Sequence, residues 1–174
     1  GTGKYTQALH YISQFSPSKL KYEKKVSVCF NNETTLFKIS DIHYEVDMEM
    51  LGCNAKLFWH EIFQKITDII MAKSQKVGIL LCKNVHEISP DLLDIFYSYM
   101  QPCDIHPAIQ LTFVLLTEKI SFVPENILTV ATLIPVARPS RKKYAQIVPL
   151  DNVADVSMIT NIKFCNSCYT LETC

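Results

Sequence analysis

The chain has 174 residues, of which 48% are hydrophobic and 20% are charged, and its formal net charge is zero. Such a composition supports a domain with a real core, and the balanced charge gives no global electrostatic case for nucleic-acid binding. No apolar run reaches transmembrane length and no segment resembles a signal peptide. The seven cysteines are scattered and odd in number, which favours reduced thiols in an intracellular, reducing compartment.

The opening residues Gly1-Thr2-Gly3-Lys4 are typical of the second half of a phosphate-binding loop. In such a loop, backbone N–H groups and a helix N-terminus surround the phosphates, and the lysine bridges the β- and γ-phosphates. Tyr5 stands where the usual magnesium-binding hydroxyl follows the lysine, and Thr6 comes one residue later. The motif predicts ATP as the ligand, a strand before the loop, and the following contact residues: Gly1, Thr2, Gly3, Lys4, Tyr5 and Thr6.

A helix is predicted over residues 7–15, ending at Ser16-Pro17-Ser18. Its inner side is predicted to carry Ala8, Leu9, Tyr11 and Ile12. Three short β-like runs follow, and Asn31-Asn32-Glu33 is a plausible hairpin turn between the first two. The three runs are Val26–Phe30, Leu36–Ile39 and Ile42–Val46.

A long helix is predicted from about Ala55 to Met71, capped by Asn54, because apolar residues recur at three- and four-residue spacing. Val77–Leu81 is a continuous apolar run, typical of a strand buried on both faces of a parallel sheet. Ser89-Pro90-Asp91 begins another helix that continues to about Met100. The recurring residues of the long helix are Leu57, Phe58, Ile62, Phe63, Ile66, Ile69 and Ile70.

Leu111–Leu116 is predicted to be a second buried strand, residues 123–127 a short helical turn and Leu133–Val136 a further strand. This alternation of buried strands and helices predicts an α/β layered domain with a mainly parallel sheet flanked by helices. Beyond this alternation the periodicity of apolar residues becomes weak. Residues 1–140 are therefore predicted to be one domain and residues 141–174 a partial lid or C-terminal extension. A basic cluster marks the boundary: Arg138, Arg141, Lys142 and Lys143.

Four segments, in this order and spacing, resemble the AAA+ ATPase domain of sliding-clamp loaders, of the replication factor C small-subunit and delta-prime type. The sequence of these segments resembles clamp-loader-like proteins of large DNA viruses more than cellular ones. The resemblance spans roughly residues 1–140. The segments correspond to the phosphate loop, the strand and helix after it, the Walker B strand with its helix, and the sensor-1 strand with the exit strand. They are Gly1–Thr6, His43–Ile66, Lys76–Gln101 and Leu111–Ser140.

The resemblance implies a P-loop NTPase fold that lacks its first strand here, and work in DNA replication. It implies three kinds of partner: other clamp-loader subunits, a sliding clamp, and primer–template DNA contacted through its backbone. The location implied is the nucleus, the cytoplasm or a viral replication site in a host cell. The resemblance also makes Thr117, at the sensor-1 position, the candidate for a contact to the γ-phosphate.

Several catalytic features of the family are missing. Cys82-Lys83-Asn84 stands where the Walker B strand should end in Asp-Glu, and the Lys83 charge predicts low Mg²⁺ affinity. The arginine-finger turn aligns with Thr129-Val130-Ala131, which has no arginine, and a paired basic position aligns with Tyr97-Ser98. The sequence therefore predicts a hydrolysis-deficient subunit that binds ATP without turnover, and no catalytic residue is assigned.

Two other interpretations stay open. An independent P-loop enzyme, such as a kinase or an ATPase, should carry an acidic residue directly after the strand Ile79–Leu81, and that residue is missing. A non-enzymatic structural protein that uses the fold only for interaction would have no nucleotide affinity.

The group Cys165, Cys168 and Cys174 has half of a zinc-knuckle spacing and is interpreted as free thiols. The basic cluster is interpreted as a solvated linker.

Overall fold

The computed structural model of the chain describes residues 3–30, 33–101, 109–137 and 140. Gly3–Val136 belong to one compact unit; Ala137–Cys174 belong to a second, of which only Ala137 and Ser140 are described. The elements of the first unit are α1 (Lys4–Ser13), β1 (Lys24–Phe30), β2 (Glu33–Ile39), β3 (His43–Asp47), α2 (Ala55–Met71), β4 (Val77–Lys83), α3 (Pro90–Met100), β5 (Gln110–Leu115) and α4 (Glu125–Val130), with single 3₁₀ segments at Glu49–Asn54, Val85–Glu87 and Ile120–Phe122.

The five strands form one sheet in the order β1-β2-β3-β4-β5. β1 pairs with β2 and β2 with β3 in antiparallel fashion, whereas β3, β4 and β5 run parallel to one another. The predicted α/β class with a helix-flanked sheet is confirmed, but the sheet is mixed rather than mainly parallel. The reason is the short connection between β1 and β2, since only antiparallel neighbours can be joined by a tight turn.

Helices cover both faces of the sheet. Alternation along β4 points Ile79 and Leu81 to one face and Leu80 to the other. Ile12 of α1 packs in one cluster with Ile79 and Leu81, whereas the larger core around Leu80 collects side chains from α2, including Trp59. α1 therefore covers the face opposite to that covered by α2.

The helix α2 matches its predicted range, and its apolar stripe is mostly buried, including Phe58, Ile62 and Ile66. Leu57 is the exception, because it lies off the stripe and is exposed. The predicted Asn54 cap is wrong in its chemistry: the side chain makes no capping hydrogen bond, and its Nδ2 donates to Glu33 Oε2 instead.

The helix α1 begins three residues earlier than predicted, at Lys4. The inward prediction is wrong for Tyr11, whose ring is exposed and stacks edge-to-face on Phe15 at 5.2 Å. The packed side of α1 is instead Tyr5, Ala8, Leu9 and Ile12, at spacings of three and four residues.

Two predictions for the last part of the sheet also need correction. β5 is only half-buried, because among the described residues it pairs on one side only, with β4. Leu133–Val136 does not form a strand in the described structure, and Leu133 and Ile134 are exposed there. An apolar run without a neighbouring strand cannot satisfy its backbone groups in a ladder.

Candidate functional site

The candidate site lies at the carboxyl edge of the parallel strands. β3, β4 and β5 end at Asp47, Lys83 and Leu115, and their parallel pairing brings these ends to one edge. The N-terminus of α1 is at the same edge, since Lys4 Nζ lies 3.5 Å from the carboxylate of Glu118, just after β5. Ligands of open α/β sheets bind at such edges.

The turn into α1 depends on Gly3, which has φ of 78°, in the left-handed region that favours glycine. Its carbonyl accepts the first helical hydrogen bond, from the N–H of Gln7 at 3.0 Å. Thr6, the predicted substitute hydroxyl, is exposed on the helix surface. Gly1 and Thr2, the other predicted loop residues, lie outside the described residues.

Tyr5 points away from the loop and toward the sheet. Its hydroxyl donates to Glu45 Oε2 at 2.7 Å, and Glu45 on β3 is only 4% exposed. Burial and the adjacent Glu45 raise the pKa of Tyr5, so the phenol stays protonated and acts as the donor. The residue at the predicted magnesium-ligand position therefore serves as a hydrogen-bond donor to a buried carboxylate.

Two lysines complete the surroundings of Glu45. Lys38 Nζ lies 3.2 Å and Lys83 Nζ 3.6 Å from Glu45 Oε1. Burial alone would lower the pKa of Lys38, but its hydrogen bond and charge attraction to Glu45 outweigh this and raise it. The Lys83 ammonium also lies 5.0 Å from the centre of the Tyr5 ring, within cation–π range.

Asp47 and Asn84 extend this polar cluster along the edge. Lys83 Nζ is 3.4 Å from Asp47 Oδ2, while Asn84 Nδ2 donates to Asp47 Oδ1 at 3.0 Å and to Glu49 Oε2 at 3.3 Å. Asn84 has φ of 52°, a left-handed conformation that asparagine tolerates better than most residues. The turn after β4 thus directs both Lys83 and Asn84 toward the acids on β3.

His43 lies on the same face of β3, two residues before Glu45, and is fully buried. Neither of its ring nitrogens has a hydrogen-bond partner within the described structure, and Nε2 is 3.9 Å from Glu45 Oε2. Burial lowers the pKa of His43 despite the nearby carboxylate, which makes the ring a neutral part of the site at neutral pH.

The predicted sensor residue Thr117 uses its hydroxyl within its own turn. The hydroxyl accepts from the N–H of Lys119 at 3.2 Å and donates to the carbonyl of Lys119 at 3.1 Å. The next residue, Glu118, pairs with Lys4 through its side chain, and its backbone N–H donates to His86 Nδ1 at 3.4 Å. Lys4, the predicted phosphate-loop lysine, therefore lies at the predicted sensor turn, but its neighbour there is a carboxylate.

A divalent metal does not fit this edge. Within the described ranges, no group of three or more His, Cys, Asp or Glu side chains has metal-binding geometry. Tyr5 is committed to Glu45, and the ammonium of Lys83 lies between Glu45 and Asp47, the acids that a cation would need. Cys82 lies in the core, where burial raises the pKa of its thiol, in agreement with its interpretation as a small buried side chain.

Other residues singled out in the sequence lie elsewhere or outside the description. Thr129 hydrogen-bonds to the carbonyl of Asn126 near the end of α4, and no arginine is present in that turn. Cys29, Cys53 and Cys82 are free thiols. The remaining predictions fall outside the described residues: the basic cluster Arg138, Arg141, Lys142 and Lys143, and the cysteines Cys165, Cys168 and Cys174.

The role of Glu45 was missed in the sequence, although a signal for it was present. His43, Glu45 and Asp47 alternate with Tyr44 and Val46, and a period of two places all three polar residues on one face of a strand. The contact of Glu45 with Tyr5, 40 residues away in the chain, depends on the way α1 lies across the sheet. That packing has no local sequence signature.

No protein-family model matches the chain, and no curated protein matches it at a significant level. In the part of the chain that the structure describes, no helix is long and apolar enough to cross a membrane. The proposal for function therefore rests on the geometry of the carboxyl edge together with the resemblance of the sequence segments.

Proposed function

We propose that the chain is a clamp-loader-like subunit of the AAA+ type that takes part in DNA replication and does not hydrolyse ATP. Its partners would be other clamp-loader subunits, a sliding clamp and primer–template DNA. The observation that carries the proposal is the position of Lys4. It begins α1 at the carboxyl edge of β4 and β5 and contacts the turn after β5.

The geometry of α1 supports a phosphate-binding role. The helix starts after a left-handed glycine, and its first N–H groups and its dipole favour an anion at that end. From there it crosses the sheet toward the amino end of β3, where Ser16 contacts Asp41. A P-loop helix has this course, from the carboxyl edge of a parallel sheet back along its face.

The surroundings of Lys83 support the absence of hydrolysis. Phosphoryl transfer needs a metal and a carboxylate that positions the attacking water. At this edge the acids Glu45 and Asp47 are neutralised by lysines, and the hydroxyl of Tyr5 is already used. A subunit of this kind contributes structure and contacts to a ring rather than turnover.

One observation favours the non-enzymatic alternative. The Lys4 ammonium is paired with Glu118, whose carboxylate would have to move if a γ-phosphate approached the lysine. The pair is partly exposed and therefore weak, so a triphosphate of higher charge can compete with it. Loss of nucleotide affinity altogether would leave a protein that uses the fold only for interaction.

Replacement of Lys4 by alanine in the full-length protein tests nucleotide binding. A fluorescent ATP analogue should bind the parent and bind Lys4→Ala at least tenfold more weakly, about 1.4 kcal/mol or more, because a charge-assisted phosphate contact is lost. Lys119→Ala is a matched control, since Lys119 lies near the same turn but pairs with Glu87. Equal affinity for parent and Lys4→Ala would exclude recognition by this loop.

The assembly is tested separately. The full-length protein, carrying an affinity tag, is used to capture purified sliding clamp and loader subunits from the same source. Recovery of a stoichiometric complex is the expected result. Recovery of neither partner, with a folded protein as bait, would refute the clamp-loader assignment whatever the nucleotide result.

A further inference from the structure

We propose that Lys83 is a built-in cation of the carboxyl edge: its ammonium takes the place of a divalent metal, so that the site receives phosphate groups without Mg²⁺. The position of phosphate groups beside Lys83 rests on the proposed function. The expectation of a metal at this edge rests on the proposed function as well, whereas the pairing of the acids with the ammonium rests on the contacts of Glu45, Asp47 and Tyr5.

The buried charge of Glu45 is balanced by its neighbours. Its carboxylate is almost fully buried and would carry a large desolvation cost if left unpaired. It is met by the ammonium groups of Lys38 and Lys83 and by the phenol of Tyr5. Each of its two oxygens therefore has a partner in addition to the nearby, neutral His43.

The Lys83 ammonium lies among two acids and an aromatic ring. It lies 3.6 Å from Glu45, 3.4 Å from Asp47 and 5.0 Å from the centre of the Tyr5 ring. Two carboxylates and the side chain that follows the loop lysine thus converge on one positive charge. The ammonium thus lies between the two acids and against the face of the Tyr5 ring, while the Tyr5 hydroxyl is bonded to Glu45.

Lysines pair with both acids that a metal would need. Glu45 contacts Lys38 and Lys83, Asp47 contacts Lys83, and Lys38 also lies 3.9 Å from Glu23. A divalent cation entering here would have to displace Lys83 from both acids. A shallow cleft of about 160 Å³, lined by Lys25, Lys38, Lys83, Glu45 and Asp47, opens beside the cluster. A metal could therefore reach the cluster through this cleft. The ammonium of Lys83 opposes its binding to Glu45 and Asp47.

The test is to remove the ammonium and ask whether a metal takes its place. In Lys83→Gln, Glu45 and Asp47 lose their shared cation, and Asn84 and Glu49 lie beside them. Millimolar Mg²⁺ or Mn²⁺ should then raise the melting temperature of the variant by several degrees and leave that of the parent unchanged. The matched control is Lys119→Gln, with the same chemical change at an exposed lysine of the same edge.

No metal response in Lys83→Gln, or an equal response in the parent, would overturn the inference. Should Lys83→Gln fail to fold, the double variant Lys83→Gln/Asp47→Asn decides. It removes one charge of each sign, and we expect its melting temperature to recover most of the way to that of the parent. A double variant that also fails to fold would refute the role of Lys83 as the neutralising charge.

A titration of the full-length protein with the fluorescent ATP analogue, in EDTA and in Mg²⁺, separates this inference from the proposed function. Equal affinity in both buffers is the expected result. Affinity that requires Mg²⁺ would overturn the inference and leave the proposed function intact. No binding in either buffer would overturn nucleotide binding as part of the proposed function, and the metal response of Lys83→Gln would then decide the inference alone.

Discussion

At the scale of single residues, Asp41 secures the end of α1 against the amino end of β3. Its carboxylate accepts hydrogen bonds from the hydroxyls of Ser16 and Ser18 and from the backbone N–H groups of Ser18 and Ile42. Burial alone would raise the pKa of Asp41, but these four donors lower it from 3.8 to about 2. This residue therefore couples the position of α1 to the protonation of one carboxyl group.

The pKa of Asp41 has a consequence for stability in acid. A carboxyl group whose folded pKa is depressed stabilises the fold above its unfolded pKa and loses that contribution as the pH falls through the folded value. We expect Asp41 to contribute about 1–2 kcal/mol at neutral pH, allowing for its partial exposure, and to lose it between about pH 4 and pH 2. Urea unfolding of the parent and Asp41→Asn across this range measures the contribution.

The difference in unfolding free energy between the parent and Asp41→Asn should shrink as the pH falls. Asp94→Asn is the control, since it makes the same chemical change at an exposed position of α3. At neutral pH the unfolding free energy of Asp94→Asn should differ from that of the parent by less than that of Asp41→Asn does. A difference for Asp41→Asn that is independent of pH would show that the donors do not act through the charged form.

At the scale of the elements, the sequence predicted most where the pattern is local. The range of α2 follows from apolar residues at helical spacing, and the start of α3 follows from Ser89 and Pro90. The mixed sheet could also have been anticipated, because a hairpin turn between the first two strands requires an antiparallel pair. The exposure of Tyr11 could not, since it depends on which side of α1 faces the sheet.

Contact between α2 and β4 depends on the absence of a side chain at Gly78. A Cβ added there would lie 2.6 Å from Ile70 Cδ1 and 3.1 Å from Tyr44 Cε2. Both neighbours are fully buried, so they have little room to move away. We expect Gly78→Ala to destabilise the fold by about 1–3 kcal/mol in denaturant unfolding.

A double-mutant cycle tests whether this contact is the cause. Ile70→Val removes the Cδ1 atom that the new methyl group would meet, and by itself should cost about 1 kcal/mol. If the contact is responsible, Gly78→Ala/Ile70→Val will be more stable than the sum of the two single changes implies. If the two changes in unfolding free energy add strictly, the contact with Ile70 is not the cause. The effect of Gly78→Ala would then come from the strand backbone.

At the scale of the whole molecule, the sequence assigned Lys4 and Thr117 separately to the phosphates of ATP. The structure places Glu118, the residue after Thr117, in contact with Lys4. The cluster of Tyr5, Glu45 and Lys83 was not expected, because its members come from three distant segments. Period-two alternation in β3 indicates a polar face, but only the packing of α1 and the parallel pairing with β4 show that this face is part of the site.

Among the described residues no strand pairs with the outer side of β5, and the proposed fold requires one there. Gln110 and Leu116 donate their N–H groups to Lys76 and Cys82 on the β4 side. In a parallel ladder alternate residues bond to the same neighbour, so the amides of Leu111, Phe113 and Leu115 point to the other side. A P-loop requires a parallel strand before Gly1, and that strand would need this side of β5 as its partner.

Hydrogen exchange on this 174-residue chain, and on the chain with any residues encoded before Gly1 added, tests that requirement. In the 174-residue chain we expect the amides of Leu111, Phe113 and Leu115 to exchange quickly, and the amides of Thr112 and Val114, which face β4, to exchange slowly. In the extended chain the first group should become protected to a similar degree as the second. If those three amides stay fast while Thr112 and Val114 are protected, no strand adds to β5 and the P-loop interpretation of Gly3-Lys4 fails, even though α1 keeps its place on the sheet.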